Sequence, residues 1–177
     1  NGGAIFAETQ SIELHVNHFI NCKATGNEIG KKGYGGAVYL SQESIEYVAE
    51  NHERLSGNIF TDCYSSTSGG AIFVYCYDEH HGKRSTLDID DDENHMFVVS
   101  IDDSIFTNCK SEIEGGAICS GFISEGMGIV GTNDMKIYNC NFTNCTSGKG
   151  GALFFQDGDK DGDEETVIDT CHFFECY

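Results

Sequence analysis

Phe60-Thr61-Asp62-Cys63, followed after a short polar turn by Gly69-Gly70-Ala71-Ile72, recurs with small variation along the whole chain. The Gly-Gly-Ala-aliphatic step appears five times, at Gly2-Gly3-Ala4-Ile5, Gly35-Gly36-Ala37-Val38, Gly69-Gly70-Ala71-Ile72, Gly115-Gly116-Ala117-Ile118 and Gly150-Gly151-Ala152-Leu153. The Phe-x-(Asn/Asp/Glu)-Cys step also appears five times, from Phe19 to Cys22, Phe60 to Cys63, Phe106 to Cys109, Phe142 to Cys145 and Phe173 to Cys176. The two steps alternate strictly. Self-similarity at a period of a few tens of residues marks an architecture of stacked layers, each touching only its neighbours. Residues 1–177 therefore read as one solenoid domain with no internal boundary.

Short alternating apolar segments lead into four of the five repeat phenylalanines: Leu14-x-Val16, Val99-x-Ile101, Met135-x-Ile137 and Val167-Ile168. Period-two alternation between Asn, Asp and Ser clusters reads as half-buried strand, and no sustained helical period is present. Each layer thus runs strand, Phe-x-Asn-Cys, polar turn, Gly-Gly and a second strand such as Ala71-Ile72-Phe73-Val74. The turn is longest after Cys22, where Thr25 to Gly33 form an outward loop. A corner between strands needs a residue at positive φ, which glycine supplies, and a second glycine lets one coil lie close on the next. At a parallel spacing of about 4.8 Å, equivalent residues form columns. The five repeat phenylalanines make an aromatic stack in the core. Asn21, Asp62, Asn108, Asn144 and Glu175 make a polar column at a turn, and Cys22, Cys63, Cys109, Cys145 and Cys176 a sulfur column. The expected fold is all-β, a right-handed parallel β-helix (β-solenoid) of about five rungs, uncapped at both ends.

These Gly-Gly-Ala-Ile and Phe-x-x-Asn-like steps resemble the repeats of the chlamydial polymorphic membrane proteins, which look like right-handed parallel β-helices used as adhesins. The Gly-Gly-Ala-aliphatic half matches at all five positions. The other half departs from the pattern: Cys holds the fourth position, with Asn one place earlier in three of five copies. The resemblance implies the solenoid and a surface role. The family's membrane-anchoring barrel has no counterpart in these residues.

Lys plus Arg number 10 against 29 Asp plus Glu, a net charge of −19. Such a surface repels nucleic acid and anionic headgroups and attracts cations. No apolar run approaches the roughly 20 residues needed to span a bilayer. Nine cysteines point to an oxidising, extracellular or cell-surface setting, and their odd number leaves one thiol free or paired between chains. Two Asn-x-Thr sequons, at Asn141 and Asn144, fit a secreted glycoprotein.

Among residues that carry chemistry, the cysteine column has two readings. Neighbours lie within disulfide reach, so Cys22 with Cys63 or Cys109 with Cys145 can bridge coils; alternatively the column is a ladder of buried thiols acting as small hydrophobes. Cys140 and Cys171, each two residues before the repeat Phe, form a second short column. Asp157, Asp159, Asp161 and Asp163 alternate around Gly158 and Gly162, a pattern that can curl around calcium or remain a solvated acidic loop. The twelfth position counted from Asp157 is Ile168 rather than the Glu of a helix-loop-helix calcium site. A second acidic run, Asp88 to Glu93, and the pair His80-His81 lie in the longest insertion. Polysaccharide lyases and hydrolases share the expected fold, and Asp102-Asp103 is the acidic pair such an enzyme would use. The chain has no Gly-His-Gly step and only two arginines, Arg54 and Arg84, so a polyanionic substrate would meet a repulsive surface and catalysis is not expected.

The first element, Gly2-Gly3-Ala4-Ile5, is the second half of a rung, and the last, Phe173-Phe174-Glu175-Cys176-Tyr177, is a first half. Joined end to end they complete one rung. Head-to-tail stacking, as a homopolymer or as one unit of a tandem array, is the expectation, since a heterologous contact that does not close gives a filament. The expected function is a structural or adhesive extracellular fibre subunit. The alternative is a segment of a large surface adhesin with a carbohydrate or cell-surface ligand.

Overall fold

The computed structural model describes residues 2–8, 12–26, 32–43, 51–77, 97–121, 133–155 and 166–177. The described residues hold eighteen short strands and no helix. In chain order these are β1 (Ile5–Glu8), β2 (Glu13–His15), β3 (His18–Ile20), β4 (Lys23–Ala24), β5 (Val38–Glu43) and β6 (Asn51–Ser56). There follow β7 (Ile59–Thr61), β8 (Tyr64–Ser65), β9 (Ile72–Tyr77), β10 (Phe97–Asp102), β11 (Ile105–Thr107) and β12 (Lys110–Ser111). The last six are β13 (Ile118–Ser120), β14 (Asn133–Tyr138), β15 (Asn141–Thr143), β16 (Leu153–Phe155), β17 (Val167–Asp169) and β18 (His172–Phe174).

Every pairing is parallel and joins equivalent strands of successive coils. Three sheets have five strands each, ordered β1-β5-β9-β13-β16, β2-β6-β10-β14-β17 and β3-β7-β11-β15-β18; a fourth has three, β4-β8-β12. The fold is the parallel β-solenoid that the repeat predicts.

Register is kept without slippage. Phe19, Phe60, Phe106, Phe142 and Phe173 pair in turn. Their rings stack at centroid separations of 4.8, 4.8, 4.8 and 4.9 Å, tilted by no more than 6°. Around them lie the buried columns Leu55–Ile101–Ile137 and Val38–Ile72–Ile118, closed by Ala37, Ala71 and Ala117 at the corner.

The Gly-Gly corner divides its labour. The first glycine is left-handed in all five copies, with φ between 59° and 67°. The second is excluded from bearing a side chain by the coil stacked on it: a Cβ on Gly36 would sit 1.9 Å from the carbonyl oxygen of Gly70, and one on Gly70 as close to that of Gly116.

In one respect the structure corrects the sequence reading. The strand upstream of each Phe does not run through to it, because the residue three places before the Phe turns left-handed. Val16 (φ 54°), Gly57 (66°), Asp103 (51°), Asn139 (50°) and Thr170 (54°) form this second corner. Val16, expected in a strand, is 75% exposed at this turn. Two strands per rung therefore become three principal faces.

Among the described residues no helix is long and apolar enough to cross a membrane.

Candidate functional site

Three axial columns carry the side chains that can do chemistry. The first is sulfur. Pairing of Lys23 with Tyr64, of Tyr64 with Lys110 and of Lys110 with Thr146 sets Cys22, Cys63, Cys109 and Cys145 opposite one another on successive coils, and the Thr143–Phe174 pairing brings in Cys176. Cys63, Cys109 and Cys145 are wholly buried, whereas Cys22 and Cys176 are partly exposed. All five are free thiols, as are Cys119, Cys140 and Cys171.

Each thiol leans back on the coil before it. Sγ of Cys63, Cys109, Cys145 and Cys176 lies 3.6, 3.7, 3.8 and 3.6 Å from the carbonyl oxygens of Phe19, Phe60, Phe106 and Phe142. Interaction with the Cys109 thiol between them holds Cys63 and Cys145 below the ordinary thiol range, while its interaction with Cys145 and then Cys63, together with burial, pushes Cys109 well above it. Burial raises Cys22 and Cys176 at the two ends.

The second column is the predicted polar turn. Asn21, Asp62, Asn108, Asn144 and Glu175 are all left-handed, with φ between 51° and 55°. Asn108 Nδ2 donates to Asp62 Oδ1 at 3.0 Å, and Asn144 Nδ2 donates to Asn108 Oδ1 at 2.8 Å. The second corner repeats the device: Asn139 Nδ2 donates to Asp103 Oδ1 at 2.6 Å. Asx side chains tolerate the left-handed region and bridge coils at the same time, which explains their place in both turns.

The third column is Asn17–Asn58–Ser104–Cys140–Cys171, two residues before the repeat Phe. Asn58 Nδ2 donates to the Leu14 carbonyl at 2.8 Å, the Asn17 amide donates to Asn58 Oδ1 at 2.9 Å, and the Asn58 amide donates to Ser104 Oγ at 3.2 Å. Cys140 and Cys171 take over the same role with Sγ 3.4 and 3.6 Å from the Ile101 and Ile137 carbonyls. Burial pushes the Cys140 thiol up to about 12. The short cysteine column read from the sequence is thus the continuation of a buried polar one, which the sequence reading missed because its first three members are Asn, Asn and Ser.

A buried carboxyl was also missed. Glu53, 1% exposed, occupies the position that Val99 and Met135 fill in the next two coils. Its Oε2 accepts the Ile12 backbone N–H at 2.5 Å, and burial raises its pKa to about 7. Aligning Glu53-x-Leu55 with Val99-x-Ile101 is the signal that would have found it.

The remaining expected sites fall as follows. Asp157, Asp159, Asp161 and Asp163 lie outside the described residues, as do Asp88 to Glu93 and His80-His81. Among the described residues no group of three or more His, Cys, Asp or Glu side chains is arranged to hold a metal. Asp102 and Asp103 do not form a pair: Asp102 Oδ2 faces Arg54 Nε at 3.5 Å, and Asp103 belongs to the corner ladder. Asn141, on β15, and Asn144 are both exposed, and Asn144 is also bonded to Asn108.

At the end coils, the amides of Gly2, Gly3, Ala4 and Ile5 donate to Tyr34, Gly35 and Ala37, and Tyr177 donates to Cys145. Phe173, Phe174 and Tyr177 are 48, 61 and 71% exposed.

Compared with protein families, curated proteins and solved structures, the chain matches none of them. Its functional reading rests on its own columns.

Proposed function

We propose that this solenoid is a structural and adhesive fibre unit of the extracellular space, stacking coil on coil with further copies of itself. The observation that supports this most is the phenylalanine column. The Phe142–Phe173 stack at 4.9 Å repeats the interior spacing of 4.8 Å, so the column keeps the geometry that accepts a further ring through to its last member. A second copy presenting β1, β2 and β3 would continue all three long sheets in register. The contact is heterologous, so it propagates as a filament. The engagement of Asp102 with Arg54 and of Asp103 with Asn139 supports a scaffold role over a catalytic one.

Growth must overcome the repulsion between chains of net charge −19. Raising monovalent salt, which screens charges over about 10 Å at 0.1 M, therefore promotes assembly. The test is sedimentation velocity and electron microscopy of the purified chain across concentration and salt. Filaments that lengthen with both, and that are lost in Phe173→Asp, support the proposal. A monodisperse monomer at millimolar concentration in high salt overturns it. Calcium belongs to the same proposal, with Asp157, Asp159, Asp161 and Asp163 as ligands, and a chelator titration of thermal stability tests it.

A further inference from the structure

We propose that Glu53 is a pH-operated latch on the seam between β2 and β6: its neutral carboxyl holds the start of β2 closed, and its ionisation lets that end lift while the other end stays pinned. The first ground is placement. β2 pairs with β6 from Glu13 to His15, and a buried side chain of the second coil clips it at each end. At the far end the clip is Asn58, whose Nδ2 donates to the Leu14 carbonyl at 2.8 Å and whose Oδ1 accepts the Asn17 amide at 2.9 Å. At the near end it is Glu53, whose Oε2 accepts the Ile12 amide at 2.5 Å. Beside it the Arg54 amide donates to the Ile12 carbonyl at 3.1 Å, so both main-chain groups of Ile12 are held at this point.

The second ground is that only one of these clips can change its charge. The Asn58 amide is neutral throughout, whereas the Glu53 carboxyl ionises. It does so in a column continued by Val99 and Met135, where it is 1% exposed. The ionisable groups of the strands stacked on β6 lie elsewhere: Glu13 and His15 on β2 and Asp102 on β10 alternate to the outer face of the sheet, as does Arg54 on β6 itself. Across the core, Glu8 of β1 is exposed. Burial, and then the Ile12 N–H, set the ionisation of Glu53. A carboxylate sealed among apolar side chains with no cation beside it is costly. Releasing Ile12 is the smallest movement that brings water to it.

The direction follows from that burial. The closed seam binds the Glu53 proton more tightly than an open seam whose carboxyl is in water. Opening therefore gains as pH rises from 4.5 to about 7 and gains nothing further above it, where both states are ionised. Each coil touches only its neighbours, so the start of β2 can lift without unfolding the coils beyond.

The experiment follows backbone amide hydrogen exchange of the folded chain by NMR from about pH 4 to 9, each amide corrected for its intrinsic exchange rate. Protection of the Ile12 and Arg54 amides should fall by about tenfold per pH unit between 4.5 and 7 and then level off. The Asn17 amide, held by Asn58, and the Ala71 amide, held by the Ala117 carbonyl at 2.8 Å, should keep theirs. In Glu53→Gln the Arg54 amide should lose its pH dependence. Flat protection at Ile12 and Arg54, loss at Asn17 and Ala71 in step with them, or a pH dependence that survives Glu53→Gln would each overturn the proposal. If Glu53→Gln does not fold, the carbon-13 shift of the Glu53 carboxyl in the unsubstituted chain decides: a midpoint near 7 that coincides with the levelling supports the latch, and one in the ordinary carboxylate range overturns it.

Discussion

Glu53 holds the backbone N–H of Ile12 at 2.5 Å from inside an otherwise apolar column. Its carboxyl is raised from 4.5 to about 7 by burial, so the folded state binds this proton more tightly than the unfolded chain does. The contribution is therefore fully present below pH of about 4.5 and is lost as pH rises through 7. A shift of that size corresponds to about 3 kcal/mol. Glu53→Gln, which keeps an acceptor for Ile12, should be more stable than the parent at pH 8 and close to it at pH 5. Urea denaturation midpoints of both proteins at the two pH values measure the difference.

Gly70 lies where the backbone of one coil presses on the next, and any Cβ there meets the Gly116 carbonyl oxygen at 1.9 Å and the Lys110 amide nitrogen at 2.6 Å. Both are main-chain atoms held in the ladder. Gly70→Ala should destabilise the solenoid by more than about 4 kcal/mol, in the range reserved for overpacking with no room to relax. Ala71→Gly, one residue along, should cost far less. Chemical denaturation of the two variants side by side is the check.

Asn108 is bonded to Asp62 below and Asn144 above while adopting φ 53°. Asn108→Ala loses both bridges and places a β-carbon in the left-handed region, a combined cost of about 2 kcal/mol. Asn108→Asp instead sets a second carboxylate against Asp62. Its destabilisation should shrink as pH falls through the carboxylate range, because protonating one of the two restores a donor. Thermal midpoints from pH 3 to 7 distinguish the two variants.

The sequons three residues apart are unequal. Both asparagines are exposed, but only the Asn144 amide is engaged, donated to Asn108 at 2.8 Å. Produced in a glycosylating secretory host, the chain should carry its glycan on Asn141. Intact mass should then drop to the unmodified value in Asn141→Gln and keep the glycan in Asn144→Gln.

The architecture was open to reading because its units repeat the same short chemical steps in the same order, even though the loops between them differ in length. Each Phe, Cys and Gly-Gly pair sits in the same place in its coil, so aligning the copies already gives the columns. The second left-handed corner was harder, since its five members are Val, Gly, Asp, Asn and Thr. Only the backbone geometry, the same φ under five different side chains, unites them. Glu53 escaped for the opposite reason: one charged residue replaced Val and Met in a column otherwise recognisable by its apolarity. Asn141 and Asn144 look alike as sequons. The hydrogen bond that separates them spans Asn108 and Asn144, residues of adjacent coils, and no local pattern contains it.

The backbone hydrogen bonds between coils, such as Ala71 to Ala117 at 2.8 Å and Gly36 to Gly69 at 3.0 Å, lie along the solenoid axis. Tension applied at the two ends therefore loads them in peeling, one coil at a time, rather than all together in shear. Each coil that gives way releases a few tens of residues, roughly 100 to 150 Å of chain at full extension. The neighbouring coils keep their own layers and remain a template on which the freed segment can rewind. Under load such a stack behaves as a series of sacrificial links with hidden length, yielding in steps where a single cooperative domain would snap.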